Sequence, residues 1–191
     1  MELCGYNFQK EVLVKKHVEL ADQLGKLHKE LKKGILLTTA SGNEFNTMTI
    51  AWGSVGIEWA KPIFIAYVRT GRHSHKLLDE NPEFTINVPL DERPGKVIAY
   101  CGTNSGRDVD KFKEMGLTAV PGEKVSVPAI KELPLTLECK VIYKQLQDKS
   151  VISDELKASF YPEDQPSEAC GGNCDYHTMF YGEIVATYIQ K

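Results

Sequence analysis

A chain of 191 residues with 42% apolar residues and charges of both signs is long enough to bury its own core, and reads as one domain, 1–191, whose N-terminal segment over about residues 1–33 is helical. A formal net charge of −3 leaves no basic footprint for nucleic acid or an anionic membrane surface. No run approaches the roughly 20 apolar residues of a membrane span, no signal-peptide core is visible, and five scattered cysteines do not suggest a disulfide framework, so a cytoplasmic protein is expected.

In the N-terminal segment Leu20, Leu24, Leu27 and Leu31 recur at helical spacing, and Gly34 is placed to close that helix. "ILLTTA" is a short apolar, β-branched strand and "SGNE" its turn. "FNTMTIAWGSVGI" reads as the next strand, with glycines that mark a bulge or a close approach. "PIFIAYV" is a continuous apolar strand buried on both faces. "SHKLLDEN" reads as a helix capped by Ser74 and stopped before Pro82.

"FTINVPL" alternates as a strand, and Pro89 places it near a sheet edge. "RPGKVIAYCG" and "RDVDKFKEMG" are two short helices ended by glycine. "LPLTLECKVIYKQL" is a long alternating strand, "QPSEACGGNCD" a turn-rich loop, and "HTMFYGEIVATYI" the last strand. Strands do not alternate regularly with crossover helices, so the expected architecture is mainly β, an antiparallel Greek-key barrel with peripheral helices.

Two stretches carry chemistry. Around "YVRTGRHSHKLL", Arg69, Arg72, His73, His75 and Lys76 gather beside Ser74 at a helix start. Such a start, with forked guanidinium donors beside it, suits an anion, most naturally phosphate; a solvated basic turn is the plainer reading. Cys170, Cys174 and His177 run C-x3-C-x2-H, which leaves open a metal, a labile disulfide, or two ordinary loop thiols. No fourth ligand is evident, and no metal is assigned.

From "GILLTTA" through "NTMTIAWG", "KPIFIAYVR", "RHSHKLLDENPEFTINVP" and "SGRDVDKF" to "HTMFYGEIV", the chain resembles the flavin reductase-like family of FMN-binding split β-barrels, flavoredoxins in particular. The resemblance implies bound FMN. It implies that Asn46, Thr47, Met48 and Thr49 hydrogen-bond the polar edge of the flavin ring beside Trp52, although core packing explains Met48 as well. It implies that Arg69, Ser74, His75 and Lys76 hold the phosphate, with Arg72 and His73 less firmly assigned. Lys111 would approach the flavin or its phosphate, whereas Asp108 and Asp110 read better as helix caps.

His177 is the residue expected nearest the reacting face of the ring. Family members that use pyridine nucleotides open the last strand with Gly-Asp-His, where this chain has Asp175, Tyr176 and His177. An added carboxylate and a bulky ring there are expected to obstruct a nicotinamide. The resemblance therefore implies a homodimeric FMN oxidoreductase fed by a protein such as a ferredoxin; the alternatives are a flavin reductase that uses NADH or NADPH to supply reduced flavin, and a non-catalytic FMN-binding module.

Overall fold

The computed structural model describes residues 14–90, 94–163 and 174–191. In chain order these form β1 (Lys15–His17), α1 (Leu20–Leu31), β2 (Ile35–Ser41), β3 (Glu44–Ile50), β4 (Gly53–Glu58), β5 (Lys61–Arg69), α2 (His73–Glu80) and β6 (Glu83–Val88). There follow α3 (Gly95–Thr103), α4 (Lys111–Met115), β7 (Ala119–Val120), β8 (Ala129–Ile130), β9 (Leu135–Leu146), α5 (Asp154–Phe160) and β10 (His177–Gln190). Of the N-terminal segment, only α1 is helical among the described residues, and β1 precedes it.

The main sheet is ordered β3-β2-β6-β9-β10-β5-β4, with β1 added to the end of β10 and every pair antiparallel. Its two outermost strands, β3 and β4, are consecutive in sequence, and only Ala51 and Trp52 separate them. Two residues span too little distance to cross a flat seven-strand path, because neighbouring strands lie about 5 Å apart. The sheet must therefore curl until its edges meet. The result is a split β-barrel, and the split lies at Ala51–Trp52.

Two features help the curl. Register shifts between β9 and β10 at Tyr181/Gly182 and Ile184/Ala186 bend the long last strand. At Gly182 a Cβ would lie 2.5 Å from the Phe84 ring and 2.8 Å from the Cys139 Cβ, so only glycine admits that close packing.

Alternation sends Ile35 and Leu37 of β2 into the barrel core with Phe64, Phe84, Leu137 and Phe180. Leu36 faces the other way, onto Ile98, Cys101, Phe112 and Ile130 beneath α3 and α4. Between these layers Asn87 is paired at both ends of its amide: its nitrogen donates to Thr38 Oγ1 at 3.2 Å, and Oδ1 accepts from the Ile130 N–H at 2.9 Å.

Several sequence expectations change. The single strand read over residues 45–57 is two strands on opposite edges, broken at the split. β6 is not near an edge but lies between β2 and β9; Pro89 falls just beyond its end, where no ladder bond is lost. Ser74 is not the cap of α2, which begins one residue earlier, after Arg72, with no side-chain cap. α3 runs through Gly102 to Thr103, whereas α4 does stop at Gly116, in the left-handed region at φ 62°. Asp110 caps α4 as read, its carboxylate accepting from the N–H groups of Phe112 and Lys113.

Candidate functional site

The split opens into a cleft. Its floor is β3, one wall is the turn from β5 into α2, and the other is the end of α3 with the loop that follows it. Eight of the eleven predicted site residues line it: Asn46, Met48, Thr49 and Trp52 from the floor and the split, Arg69 and Ser74 from the turn, and Lys111 and His177. The Asn46 amide donates to Ser74 Oγ at 2.9 Å, tying floor to wall. At Gly106 a Cβ would meet Asn46 Oδ1 at 2.3 Å, so the loop after α3 closes onto the floor only because that residue is glycine.

Thr47, His75 and Lys76 do not line the cleft. Thr47 points inward and donates to the Leu37 carbonyl. His75 spends Nε2 on Thr178 Oγ1 at 2.8 Å and Nδ1 on Asp79 at 3.3 Å. Lys76 is exposed and pairs along the helix with Glu80 at 3.7 Å. The expectation that His75 and Lys76 hold phosphate is thereby corrected.

Two further arginines line the cleft. Arg72 lines the cleft, and no hydrogen bond or ion pair holds its side chain among the described residues. Arg107, also in the lining, donates to the Gly71 carbonyl at 2.9 Å and so stands beside Arg72. In "SGRDVDKF" the pair Ser105 and Gly106 marks a turn directly before this arginine, but nothing local aims its guanidinium at Gly71.

Arg69 serves differently. Its guanidinium donates to the Asp175 carbonyl at 2.6 Å and the Phe160 carbonyl at 2.9 Å, and lies 5.0 Å from the Tyr161 ring centre. It is joined there by a clasp: Asp175 Oδ2 accepts from the Gly71 N–H at 2.7 Å, the Tyr176 carbonyl accepts from the Thr70 N–H at 3.1 Å, and Tyr176 stacks on Tyr161 at 4.4 Å. Neither Asp175 nor Tyr176 lines the cleft. The two side chains expected to obstruct a nicotinamide are thus engaged in holding the turn.

Lys111 is 4% exposed and donates to the Thr47 and Cys101 carbonyls, both at 2.9 Å. One belongs to the edge strand β3 and the other to the last turn of α3, where carbonyls lack helical partners. Cys101 lines the cleft beside it, and burial pushes its thiol up to about 11.

His177 is 6% exposed, with Trp52 4.7 Å away ring to ring. Burial, and then the charges of Arg69 and Arg72, lower its pKa to about 3, so the ring is neutral at physiological pH. Between that value and the free value near 6.5 the unfolded chain binds one proton more than the folded one. Stability contributed by the neutral ring is therefore lost as pH falls below about 6.5, by up to about 1.4 kcal/mol per unit. Urea midpoints at pH 7 and pH 5 should show His177→Gln losing about 2 kcal/mol less than the parent over that interval; equal losses would mean that the ring titrates normally.

Among the described residues no three His, Cys, Asp or Glu side chains gather as metal ligands; Cys170 lies outside the described residues. No described helix is long and apolar enough to cross a membrane.

The lining combines cationic Arg72 and Arg107 with aromatic and apolar Trp52, Tyr67 and Met48. Such a lining fits a ligand with an anionic tail and a flat ring system, as FMN has. Comparison with known proteins gives the same direction. An uncharacterised protein of Pyrococcus abyssi is 33% identical over 131 residues, covering 68% of this chain and 73% of its own. The solved flavoredoxin of Desulfovibrio vulgaris is similar at TM-score 0.60 and 25% identity, over 82% of this chain and 68% of that one. The flavoredoxin of Methanosarcina acetivorans is similar at TM-score 0.59 and 26% identity, over 82% and 67%. Residues 28–191 match the family described as the flavin reductase like domain, and the chain, a split barrel, belongs to that family.

Proposed function

We propose that the chain binds FMN in the cleft and acts as an oxidoreductase of the flavoredoxin type, passing electrons through the bound flavin. The observation that carries this reading is the cleft itself, cut into the split of the barrel and lined by both cationic and aromatic side chains. The ring would lie along Asn46, Met48 and Thr49 toward Trp52 and His177, and the phosphate at Ser74, Arg72 and Arg107. FMN supplies the hydride and one-electron chemistry; the protein orients it, holds its phosphate and excludes water.

A second reading, an NAD(P)H-dependent flavin reductase, gains from one observation. Asp175 and Tyr176 turn away from the cleft, so the way to His177 is not blocked by them. Anaerobic addition of NADH or NADPH to the FMN-loaded protein separates the readings. Rapid bleaching of the flavin supports the reductase. A flavin that bleaches only with reduced ferredoxin supports the carrier, and failure to bind FMN at all sinks both.

We also propose that the working form is a homodimer. The cleft measures about 180 Å³, below the roughly 300 Å³ of a site that engulfs a small ligand, and a partner surface closing over it would cover a flavin more fully. Beyond it, β4 and β9 expose Ile57, Trp59, Tyr143 and Leu146 at 76%, 55%, 42% and 56%. Trp59 sits in the left-handed region at φ 50°, a cost that favours a turn presenting the ring outward for a purpose. Sedimentation equilibrium reads the state directly: a dimer is expected, and a monomer at micromolar concentration rejects it.

A further inference from the structure

The hydrogen bonds behind His177 decide more than where its ring sits. Its backbone N–H donates to Gln147 Oε1 at 3.2 Å, and its carbonyl accepts from the Gln147 N–H at 3.0 Å. A backbone N–H accepts nothing, so the amide of Gln147 must turn its oxygen, not its nitrogen, to this place. That oxygen is also 2.8 Å from the Tyr161 hydroxyl. The hydroxyl has one proton, and the carboxamide oxygen beside it can only accept, so the proton goes to Gln147. Tyr161 Oη lies at the same time 3.0 Å from His177 Nδ1. With its proton spent, the hydroxyl offers Nδ1 only a lone pair, and Nδ1 must then carry the ring proton.

We propose that Gln147 and Tyr161 are positioning residues that hold His177 as its Nδ1–H tautomer, so that Nε2 presents a lone pair to the cleft. Nε2 has no hydrogen-bond partner among the described residues, and it is not sealed from solvent as the orphaned hydroxyls of Thr39 and Thr136 are. His177 itself lines the cleft. The ring cannot escape the assignment by taking a second proton: Arg69 and Arg72 lie close enough to oppose a positive charge, and the acidic side chain near this wall, Asp175, is turned to the Gly71 N–H.

The consequence is a rule of recognition. A neutral ring with its lone pair outward accepts a hydrogen bond and donates none. Whatever approaches the flavin at His177 must bring an N–H or O–H, as a primary carboxamide does; a carboxylate or bare carbonyl at that place would face lone pair against lone pair. This consequence rests on the flavin reading above. The tautomer does not, since it is set entirely by groups of this chain.

The test is a long-range proton–nitrogen correlation spectrum of the full chain labelled with ¹⁵N-histidine, recorded near pH 7 without and with FMN. The His177 signals are identified by their loss in His177→Gln. Nδ1 and Nε2 are told apart by their different couplings to the ring protons, and protonated from bare nitrogen by their widely separated shifts. The expected result is a protonated Nδ1 and a bare Nε2. Tyr161→Phe should remove the constraint and give a mixture shifted toward the Nε2–H form that free histidine favours. Gln147→Met should go further and invert the pattern, because the Tyr161 hydroxyl, without its acceptor, would donate to Nδ1. A parent spectrum with Nε2 protonated or with averaged nitrogens overturns the proposal, and so does an unchanged pattern in either variant. If the flavin reading fails, FMN will not bind while the tautomer pattern stands, so the two failures are distinct.

Discussion

Replacing Arg72 with alanine is expected to weaken FMN binding by about 10- to 100-fold while leaving riboflavin binding almost unchanged. A charge-assisted hydrogen bond contributes about 1.5–3 kcal/mol, and each 1.4 kcal/mol is a factor of ten. Only FMN carries the phosphate, so the ratio of the two affinities isolates the contact. Arg69→Ala should behave differently. The Arg69 guanidinium is engaged with the Asp175 and Phe160 carbonyls, so its loss loosens the wall for both ligands alike. Fluorescence titration of both flavins against both variants decides the matter. A selective loss of FMN in Arg69→Ala, with Arg72→Ala indifferent, would return the phosphate to Arg69. Salt offers a further check, since an exposed contact is screened within about 10 Å at 0.1 M ionic strength and a partly enclosed one much less.

Lys111→Met is expected to cost about 3 kcal/mol of stability, and flavin binding with it. The side chain has nearly the same length and keeps its apolar stem, so packing changes little. What disappears is the ammonium that satisfies the Thr47 and Cys101 carbonyls in a place 4% exposed. Replacing a buried ion pair by apolar groups is often harmless, because both charges leave. Here only the donor leaves, and two buried carbonyls remain, each at about 1–3 kcal/mol if unsatisfied. Urea denaturation followed by circular dichroism measures the loss as a lower midpoint at unchanged slope. A change below about 1 kcal/mol would mean that water replaces the ammonium, and that the Thr49 hydroxyl on the Ile98 carbonyl and the packing of Phe45, Ile98 and Phe112 suffice to hold β3 against α3 and α4.

Much of the barrel could be read from the chain. β2, β5, β6, β9 and β10 are apolar or alternating runs bounded by turn residues, and such patterns survive whatever the neighbours do. Asp110 was readable as a cap because an aspartate before a short amphipathic stretch satisfies orphan N–H groups locally. β7 and β8, two residues each, were not legible: they exist because the loop from α4 to β9 packs against Asn87 and β6, and nothing local marks them. α5 was also missed, although Ser153 caps it in the usual way, since its residues bury no face that a periodic pattern would reveal.

The sequence by itself determined the fold class, the strands β2, β5, β6, β9 and β10, the basic turn after β5, and through its family resemblance the grouping of Asn46, Ser74, Lys111 and His177. Only the tertiary structure decided which basic residues face the cleft. In α2 each residue turns about 100° from the last, so once Ser74 points to Asn46 the side chains of His75 and Lys76 swing to β10 and to solvent. It alone decided that Arg107, 35 positions beyond Arg72, stands beside it, by way of the Gly71 carbonyl. And it alone decided that Asp175 and Tyr176 hold the turn after β5 rather than line the cleft, because a side chain's direction is set by the partner it finds across the barrel, and that partner is remote in the chain.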